Sequence, residues 1–437
     1  MNPHRRLRLA AWLLAAAVGA TGCGGNSSET QLIGNGVSGS GQGVEVTLSE
    51  PSGDNTTEVV IDAGPGSGFS LPVANLAYVT VTVCEPGSRT HCATIDHVLL
   101  DTGSIGLRVL KSTVAGLSLP AVAAGTGVAH ECYPFMVGAV WGPLASADVT
   151  IGGRLAPSLP MQLIDDDAVP SPVPPADCRT AAGGDLMQSV ASLQARGVLG
   201  IGLLRHDCGL NCQLGRYDSG VTMYYSCQAG SCQATALAPD SQVQHPVPAF
   251  SEDNNGTVVV LPVLPVLGAA KVRGRLVFGI GTKANNQLPV GSQVLPLETD
   301  PNRATYLYLT TTLGGVTFPN AYVDSGSNGL FFDDPAAMSL CAAPVAGEGQ
   351  WFCPSIQQSR VATLIGADGN TAVANFDVIS ANALFATSNS AFATLAGSAG
   401  SANPGAFVWG LPFFYGRRVF TSIWGQALAV NGPWYAF

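Results

Sequence analysis

Apolar and polar residues alternate along two neighbouring segments in the first quarter of the chain. Residues Tyr78 to Cys84 follow the two-residue period of a β-strand, and Thr94 to Leu100 form a second such segment. The dipeptide Pro86-Gly87 lies between them and is a turn signal. The pattern therefore predicts a β-hairpin whose second strand leads directly into Asp101.

The same arrangement occurs again in the second half of the chain. An apolar strand precedes Asp-Thr-Gly-Ser at 101–104, and another precedes Asp-Ser-Gly-Ser at 324–327. Each motif is followed well downstream by an apolar run containing glycine, at 197–202 and at 407–411. Because the order of elements is repeated, we predict two lobes of similar topology. We place them at residues 44–235 and 236–437.

The composition favours an all-β protein. Of the 437 residues, 11% are charged, and there are 53 glycines and 29 prolines. Long amphipathic helices need more Glu, Lys and Arg than this, whereas many short strands joined by tight turns fit the counts. A chain of this length also exceeds the size at which a single core stops growing.

The first residues resemble an export signal. Arg5, Arg6 and Arg8 precede an uncharged stretch, residues 9–20, that is too short to span a bilayer. We predict a signal peptide at 1–22, then a lipidated Cys23 and a flexible Gly- and Ser-rich tether to residue 43. The small residues before Cys23 resemble a bacterial lipoprotein processing site, although Ala20 stands where Leu is usual. The alternative is an ordinary signal peptide followed by a chance cysteine.

Charge narrows the choice of partners. Removing residues 1–22 removes three arginines and no acidic residue, which leaves 16 basic against 29 acidic side chains, a net charge of −13. A strongly acidic surface argues against nucleic acid and against anionic membrane surfaces as partners. We therefore expect a monomer that meets a membrane through its lipid anchor only.

The cysteines point to disulfides. Eleven are present, and setting Cys23 aside leaves ten, an even number in an exported chain. Local spacing suggests the following pairs: Cys84–Cys92, Cys208–Cys212, Cys227–Cys232 and Cys341–Cys353, leaving Cys132 with Cys178. Sequence alone does not fix connectivity. A zinc site built from the four cysteines between 208 and 232, with His206, is the alternative.

The two Asp motifs carry the clearest chemistry. Two carboxylates held a few ångströms apart cannot both ionise, so one keeps a proton while the other acts as a base. Such a pair can activate a water for attack on a peptide carbonyl and later protonate the leaving nitrogen. We therefore predict Asp101 and Asp324 as catalytic residues, with no metal and no organic cofactor.

The residues beside each Asp suit a supporting role. We expect the glycines to allow sharp turns, the first hydroxyls to reach the opposite loop, and the second hydroxyls to orient the carboxylates. These supporting residues are Thr102, Gly103, Ser104, Ser325, Gly326 and Ser327.

These paired loops resemble the active-site loops of pepsin-like aspartic proteases. The similarity extends to the two downstream apolar runs, to a flap-like hairpin at 130–153, and to 274–279, which resembles the start of the second lobe. It covers roughly residues 70–437 and implies a two-lobed fold with a cleft. A closer match, including the 84–92 hairpin turn, is a bacterial family of predicted lipoproteins without assigned function. This implies a cell-envelope location, and the non-acidic Gly24 favours the outer membrane.

Two positions depart from the protease pattern. Arg108 stands seven residues after Asp101, where the family usually has a Trp that supports the flap tyrosine. Tyr133 is the flap candidate, but Pro134-Phe135-Met136 follows it instead of a Gly-rich tip. Alternatively, Tyr133 is a packed aromatic beside a disulfide at Cys132. Arg108 is either a solvated surface charge or a buried one that lowers the pKa of a nearby carboxylate.

Three functions remain open. The first is an aspartic endopeptidase that cuts a peptide or protein substrate between apolar residues. Four residues are expected to line its subsites or to form core: Ile105, Leu107, Leu330 and Phe331. The second is a non-catalytic peptide- or partner-binding lipoprotein on the same fold. The third is a glycosidase, which would need more widely spaced carboxylates. The acidic run Asp165–Asp167 reads as a solvated loop rather than a calcium site.

Overall fold

The structure, a computed structural model, describes the greater part of one compact unit, Asn35–Phe437. The described residues are 36–38, 43–50, 52–66, 69, 73–168, 172–181, 186–215, 222–297, 307–342, 350–400, 405–426, 428 and 432–437. The predicted signal peptide and Cys23 lie outside them. Three residues of the predicted tether, 36–38, pair with 45–47 as a short antiparallel ladder. None of the described helices is long and apolar enough to cross a membrane.

Strands dominate the first half of the chain. Among the residues that the structure describes, thirteen strands precede residue 236: β1 Gly36–Ser38, β2 Glu45–Thr47, β3 Thr56–Ile61, β4 Ala77–Cys84, β5 Cys92–Asp101, β6 Ile105–Leu110, β7 Ala123–Ala124, β8 Gly127–Phe135, β9 Gly138–Ile151, β10 Arg154–Ile164, β11 Gly197–Ile201, β12 Tyr224–Gln228 and β13 Ser231–Ala234. The described helices here are short: α1 Ala176–Ala181, α2 Val190–Leu193, α3 Leu210–Gln213 and a 3₁₀ turn at Lys111–Val114.

The second half has the same character. Its described strands are β14 Gly256–Val260, β15 Lys271–Phe278, β16 Val294–Pro296, β17 Leu309–Leu313, β18 Val316–Val323, β19 Leu330–Phe332, β20 Gln350–Trp351, β21 Gln358–Ile365, β22 Thr371–Val378, β23 Ala396–Ser398, β24 Ala406–Trp409, β25 Arg418–Ser422 and β26 Trp434–Ala436. Helix α4, Ala381–Phe385, and 3₁₀ turns at 239–241, 247–249, 284–286 and 411–414 complete it.

The two Asp motifs lie in matching strand arrangements. In the first lobe, β11 threads between β5, to which it is parallel, and β6, to which it is antiparallel. In the second, β24 runs parallel to β18 and antiparallel to β19. Both downstream apolar runs therefore pass beside their own Asp loop, as the sequence predicts. The all-β class and the two-lobed, pepsin-like architecture are confirmed.

Hydrogen bonding joins the two halves of the chain. Strands β17–β24 form a separate eight-stranded sheet, whereas β14, β15, β16, β25 and β26 pair into the large sheet that contains β2 and β3. The predicted lobe boundary at 236 lies between β13 and β14, within this continuous network. Strand pairing therefore does not mark a division at that residue, and the boundary stays a prediction.

Well-packed core residues lie beneath both Asp loops. Strand β6 is buried along its whole length, and β11 likewise. Under the second loop, Phe407 stacks on Phe332 with ring centroids 4.8 Å apart, and on Trp409 at 4.3 Å. Aromatic pairs of this kind stabilise a core by about 0.5–1.5 kcal/mol beyond the area they bury.

All five predicted disulfides are present. They join Cys84 to Cys92, Cys132 to Cys178, Cys208 to Cys212, Cys227 to Cys232 and Cys341 to Cys353. The four cysteines proposed as zinc ligands are thus bonded in pairs and offer no thiolate. Each of the five bridges closes a loop within one half of the chain.

Candidate active site

The two Asp loops hold their carboxylates with matching hydrogen bonds. The Gly103 amide donates to Asp101 Oδ1 at 2.8 Å, and Ser104 Oγ donates to Asp101 Oδ2 at 2.5 Å. In the second loop the Gly326 amide donates to Asp324 Oδ1 at 2.9 Å, and Ser327 Oγ donates to Asp324 Oδ2 at 2.6 Å. Both carboxylates are therefore fixed in orientation by their own loop.

A reciprocal exchange of hydroxyls locks the two loops together. Thr102 Oγ1 donates to the Val323 carbonyl at 3.1 Å and accepts from the Ser325 amide at 2.9 Å. Ser325 Oγ donates to the Leu100 carbonyl at 2.7 Å and accepts from the Thr102 amide at 3.1 Å. All four bonds are buried, so neither loop can withdraw without leaving polar groups unpaired.

The two glycines let the carboxylates approach. A Cβ on Gly103 would lie 2.6 Å from Asp324 Oδ1, and a Cβ on Gly326 would lie 2.6 Å from Asp101 Oδ1. Real Cβ atoms do not come this close, so only glycine fits either position. Asp324 acts on the pKa of Asp101 through its charge and through a side-chain hydrogen bond, so the two carboxyl groups lie together. This favours a close pair over the wider spacing, roughly 5 Å or more, of glycosidase carboxyl groups.

The surroundings of Asp101 raise the pKa of its carboxyl group. Burial, then the charge of Asp324 and the hydrogen bond to it, raise the pKa of Asp101 to about 8, against the opposing effect of Ser104 and Gly103. Asp101 is 6% exposed, whereas Asp324 is only half-buried. The deeper burial of Asp101 favours this carboxyl as the one of the pair that carries a proton.

Two buried residues that sequence reasoning missed lie near the Asp loops. Tyr435 is buried; burial and the charges of Asp324 and Asp101 raise the pKa of its phenol, which keeps it neutral. Asn75 Nδ2 donates to the Asn328 carbonyl at 2.8 Å and to the Phe392 carbonyl at 2.9 Å. Asn75 thus ties the segment before β4 to the loop that follows Ser327. No local pattern in the sequence signals either contact.

The predicted flap is a real hairpin. Strands β8 and β9 pair from His130–Pro143 to Phe135–Gly138, and the tip residues Met136 and Val137 are exposed. Tyr133 lies in β8, next to Cys132 and its disulfide. It also packs its ring over the Arg108 guanidinium, 3.6 Å from Cζ to the ring centroid. Both interpretations of Tyr133 therefore describe part of its setting.

Arg108 is fully buried, which corrects the interpretation of this residue as a solvated surface charge. It forms ion pairs with Glu131 Oε1 at 2.7 Å and with Asp207 Oδ2 at 2.8 Å. Arg108 lowers the pKa of Asp207, but burial and the charge of Glu131 outweigh it and leave that pKa well above its ordinary value. Sequence reasoning missed both acidic partners, although an Arg inside an apolar strand implies a buried partner.

The four residues predicted to line subsites or to form core are buried or half-buried among apolar neighbours. Ile105, Leu107 and Leu330 are buried in the main core. Phe331 is half-buried against Trp351, with ring centroids 5.3 Å apart.

The acidic run 165–167 pairs with the 3₁₀ turn after β6: Lys111 Nζ lies 2.5 Å from Asp167 Oδ2, and Ser112 bonds Asp166. The structure shows no metal-type cluster among the residues it describes.

Comparison with known proteins places the chain in a family. Residues 51–437 match a family model described as "Protein of unknown function (DUF3443)". The chain belongs to this family. Among curated proteins, no match is found. Among solved structures, this DUF3443 member is similar to an aspartic proteinase from Irpex lacteus, with 13% identity, a TM-score of 0.48, and coverage of 87% of this chain and 96% of that one.

Proposed function

We propose that this protein is an aspartic endopeptidase in which Asp101 and Asp324 activate a water between them. One observation carries the proposal: two Asp loops from different lobes hold their carboxyl groups in mutual hydrogen bonding, inside matching sets of donors. Structural supports alone would not require two like charges to be brought together, because the pairing costs free energy unless a proton is retained.

The chemistry follows from where the proton lies. With the proton on Asp101, the Asp324 carboxylate takes a proton from water while the water oxygen attacks the scissile carbonyl carbon. Asp101 donates its proton toward the carbonyl oxygen, which gives a neutral tetrahedral diol. The proton held by Asp324 then passes to the nitrogen, the C–N bond breaks, and the diol returns a proton to Asp101. Atoms and charges balance over the cycle.

The raised pKa of Asp101 supports a working range that reaches neutral pH. The pair needs one proton, and Asp101 keeps it up to about pH 8. Above that value the proton is lost, so we expect cleavage to decline there. We also propose a peptide substrate in extended form with apolar side chains, because the tip of the flap presents Met136 and Val137.

The proposed setting is the bacterial cell envelope. Five disulfides support an oxidising compartment. Lipidation of Cys23 and a location in the outer membrane remain part of the proposal, as do the monomeric state and the lack of a nucleic-acid partner. A protein substrate reaching the envelope would meet the cleft without crossing a membrane.

A second candidate is a peptide-binding protein without turnover. The specific observation in its favour is that Arg108 already occupies one face of the Tyr133 ring. A flap residue fixed in this way suits retention of a bound segment. The two intact Asp loops oppose this alternative.

Cleavage of a mixed peptide library decides between the two. The full chain, produced in an oxidising compartment, is assayed from acidic to mildly alkaline pH beside Asp101→Asn and Asp324→Asn. We expect each variant to lose about 10³-fold or more in activity. Asp368→Asn, a carboxylate in an exposed turn, is the matched control and should retain full activity. Peptide capture without cleavage by the folded wild type would establish the binding protein instead.

A further inference from the structure

The Arg108 side chain joins three segments of the first lobe: its own strand β6, the flap strand β8 and the segment after β11. Its Nη1 donates to the Ile105 carbonyl at 2.6 Å, directly after the Asp101 loop. Its Nε and Nη2 donate to Glu131 in the flap strand β8, and Nη2 also donates to Asp207, which follows β11. The guanidinium face lies against Tyr133. One planar cation therefore connects the start of β6, directly after the Asp101 loop, with the flap strand β8 and the segment that follows β11.

Stability alone does not account for this cluster. Arg108, Glu131 and Asp207 are all fully buried, and removing charges from water costs several kcal/mol for each ion. Well-packed apolar residues of similar volume are often as stable or more so. The structure meets the cost with full pairing. Asp207 also accepts from Tyr224 Oη at 2.8 Å, and that oxygen accepts from the Val243 amide at 2.9 Å.

The cluster controls where the Tyr133 ring lies. One face of the ring is covered by Arg108, and its edge meets Phe135 at 4.9 Å between centroids. Burial raises the pKa of the Tyr133 phenol; the charge of Arg108 opposes this effect, and the charges of Asp207 and Asp101 add to it. A planar guanidinium fixed by two carboxylates fixes the plane of the ring stacked on it.

We propose that Arg108 is a positioning residue that holds Tyr133, and with it the base of the flap, in a constant relation to the Asp101 loop. The proposal rests on the proposed protease function for its kinetic consequences. Because the flap base and the catalytic loop share one cation, they move together, and opening of the flap is confined to the residues beyond Tyr133. Arg108 acts on the substrate only through Tyr133.

Three variants test this relation in the full chain. Arg108→Lys keeps the charge but removes the planar fork and the stacking surface. Tyr133→Leu removes the ring and leaves the ion cluster intact, whereas Tyr133→Phe keeps the stacked ring. The matched control is Arg154→Lys, because Arg154 is also a buried arginine with a close carboxylate partner, Asp253 at 2.6 Å. It begins β10, at the other end from Gln162, the residue that pairs with Arg108.

Backbone amide exchange of residues 127–138 is the first readout, since it needs no activity. We expect exchange in β8 about tenfold faster or more in Arg108→Lys and Tyr133→Leu, and unchanged in Tyr133→Phe and in Arg154→Lys. Equal exchange in Arg108→Lys and the Arg154 control would overturn the proposal. So would faster exchange spread evenly over the whole lobe, because that indicates general destabilisation.

Kinetics provide the second readout. We expect kcat/KM to fall about 10- to 100-fold in Arg108→Lys and Tyr133→Leu, with a clear rise in KM. A merely structural defect lowers the active fraction, and thus kcat, without changing KM. An unchanged KM in both variants would therefore also contradict the proposal. If the wild type cleaves nothing, the protease function fails, but the exchange experiment still decides whether Arg108 holds the flap.

Discussion

Arg108 and Phe331 occupy equivalent places in the two halves of the molecule. Each lies seven residues after its Asp, and each pairs with the threading strand, Arg108 opposite Val198 and Phe331 opposite Val408. Arg108 is fully buried in a cluster of charges, whereas Phe331 is half-buried against Trp351. In each lobe an Asp loop and the strand that threads beside it form the same backbone arrangement, which we call the frame. The frame thus accepts a cation in one lobe and an aromatic ring in the other.

The difference between Arg108 and Phe331 follows from the elements that pack beside each frame. In the first lobe the β8–β9 hairpin lies beside the frame, and Arg108 bonds it through Glu131. In the second, β19 adjoins a cluster in which Trp351 meets Phe385 and Phe385 meets Phe392. The two Asp loops themselves are nearly identical in their hydrogen bonds. We therefore separate a symmetric frame around the two Asp residues from an asymmetric set of neighbouring residues in the two lobes.

Replacing the two equivalent residues by leucine is the strongest test of this asymmetry. Arg108→Leu leaves Glu131 and Asp207 buried without a cation, so we expect a loss of about 3–5 kcal/mol in the free energy of unfolding. Phe331→Leu removes a half-buried ring edge and should cost about 1 kcal/mol. Denaturant unfolding of both variants measures the difference. Equal losses would show that the two positions are energetically alike.

Adding a methyl group to each glycine tests the symmetric part. Gly103→Ala and Gly326→Ala each place a Cβ about as close to the opposing carboxylate, 2.6 Å in both directions. The carboxyl groups must then separate, and we expect each variant to lose about 100-fold in peptide cleavage. Gly116→Ala, at an exposed position where the added Cβ meets nothing within 4 Å and φ is not positive, controls for glycine replacement in general. A loss of peptide cleavage in only one of the two variants would contradict the symmetry of the frame.

The hydroxyl exchange offers a smaller effect. Thr102→Val and Ser325→Ala each leave a buried amide and a buried carbonyl without partners, which should cost about 1–3 kcal/mol. In the double variant we expect less than the sum, because the four bonds form one network. Unfolding free energies of the three proteins test this. Strict additivity would mean that the two hydroxyls act independently.

The smallest effect concerns pH. Ser104 Oγ stabilises the ionised form of Asp101, so Ser104→Ala should raise the pKa of Asp101 further. In the proposed mechanism Asp101 must carry the proton, and cleavage declines as pH rises through its pKa, so the alkaline limb of the activity profile should move upward. Ser327→Ala is the matched variant, since its hydroxyl contacts Asp324. A downward shift in Ser104→Ala would contradict the assignment of the proton.

The sequence predicts the frame because its signals are local. Each Asp loop, its preceding strand and the threading run are contiguous segments, and four of the five disulfides join cysteines at most 12 residues apart. Partners across the fold leave no such signal. Asp207 reaches Arg108 from 99 residues away, and Asn75 bonds Asn328 from 253 residues away. Those contacts depend on how the lobes pack, which no periodicity records.

The hydroxyl exchange has a consequence for the order of events during synthesis. Thr102 and Ser325 are separated by 223 residues, so their contact closes one of the longest loops in the molecule. Contacts of such long range form late in folding. A partly synthesised chain therefore carries Asp101 without its partner. Assembly of the pair is postponed until both halves of the chain have been made and brought together.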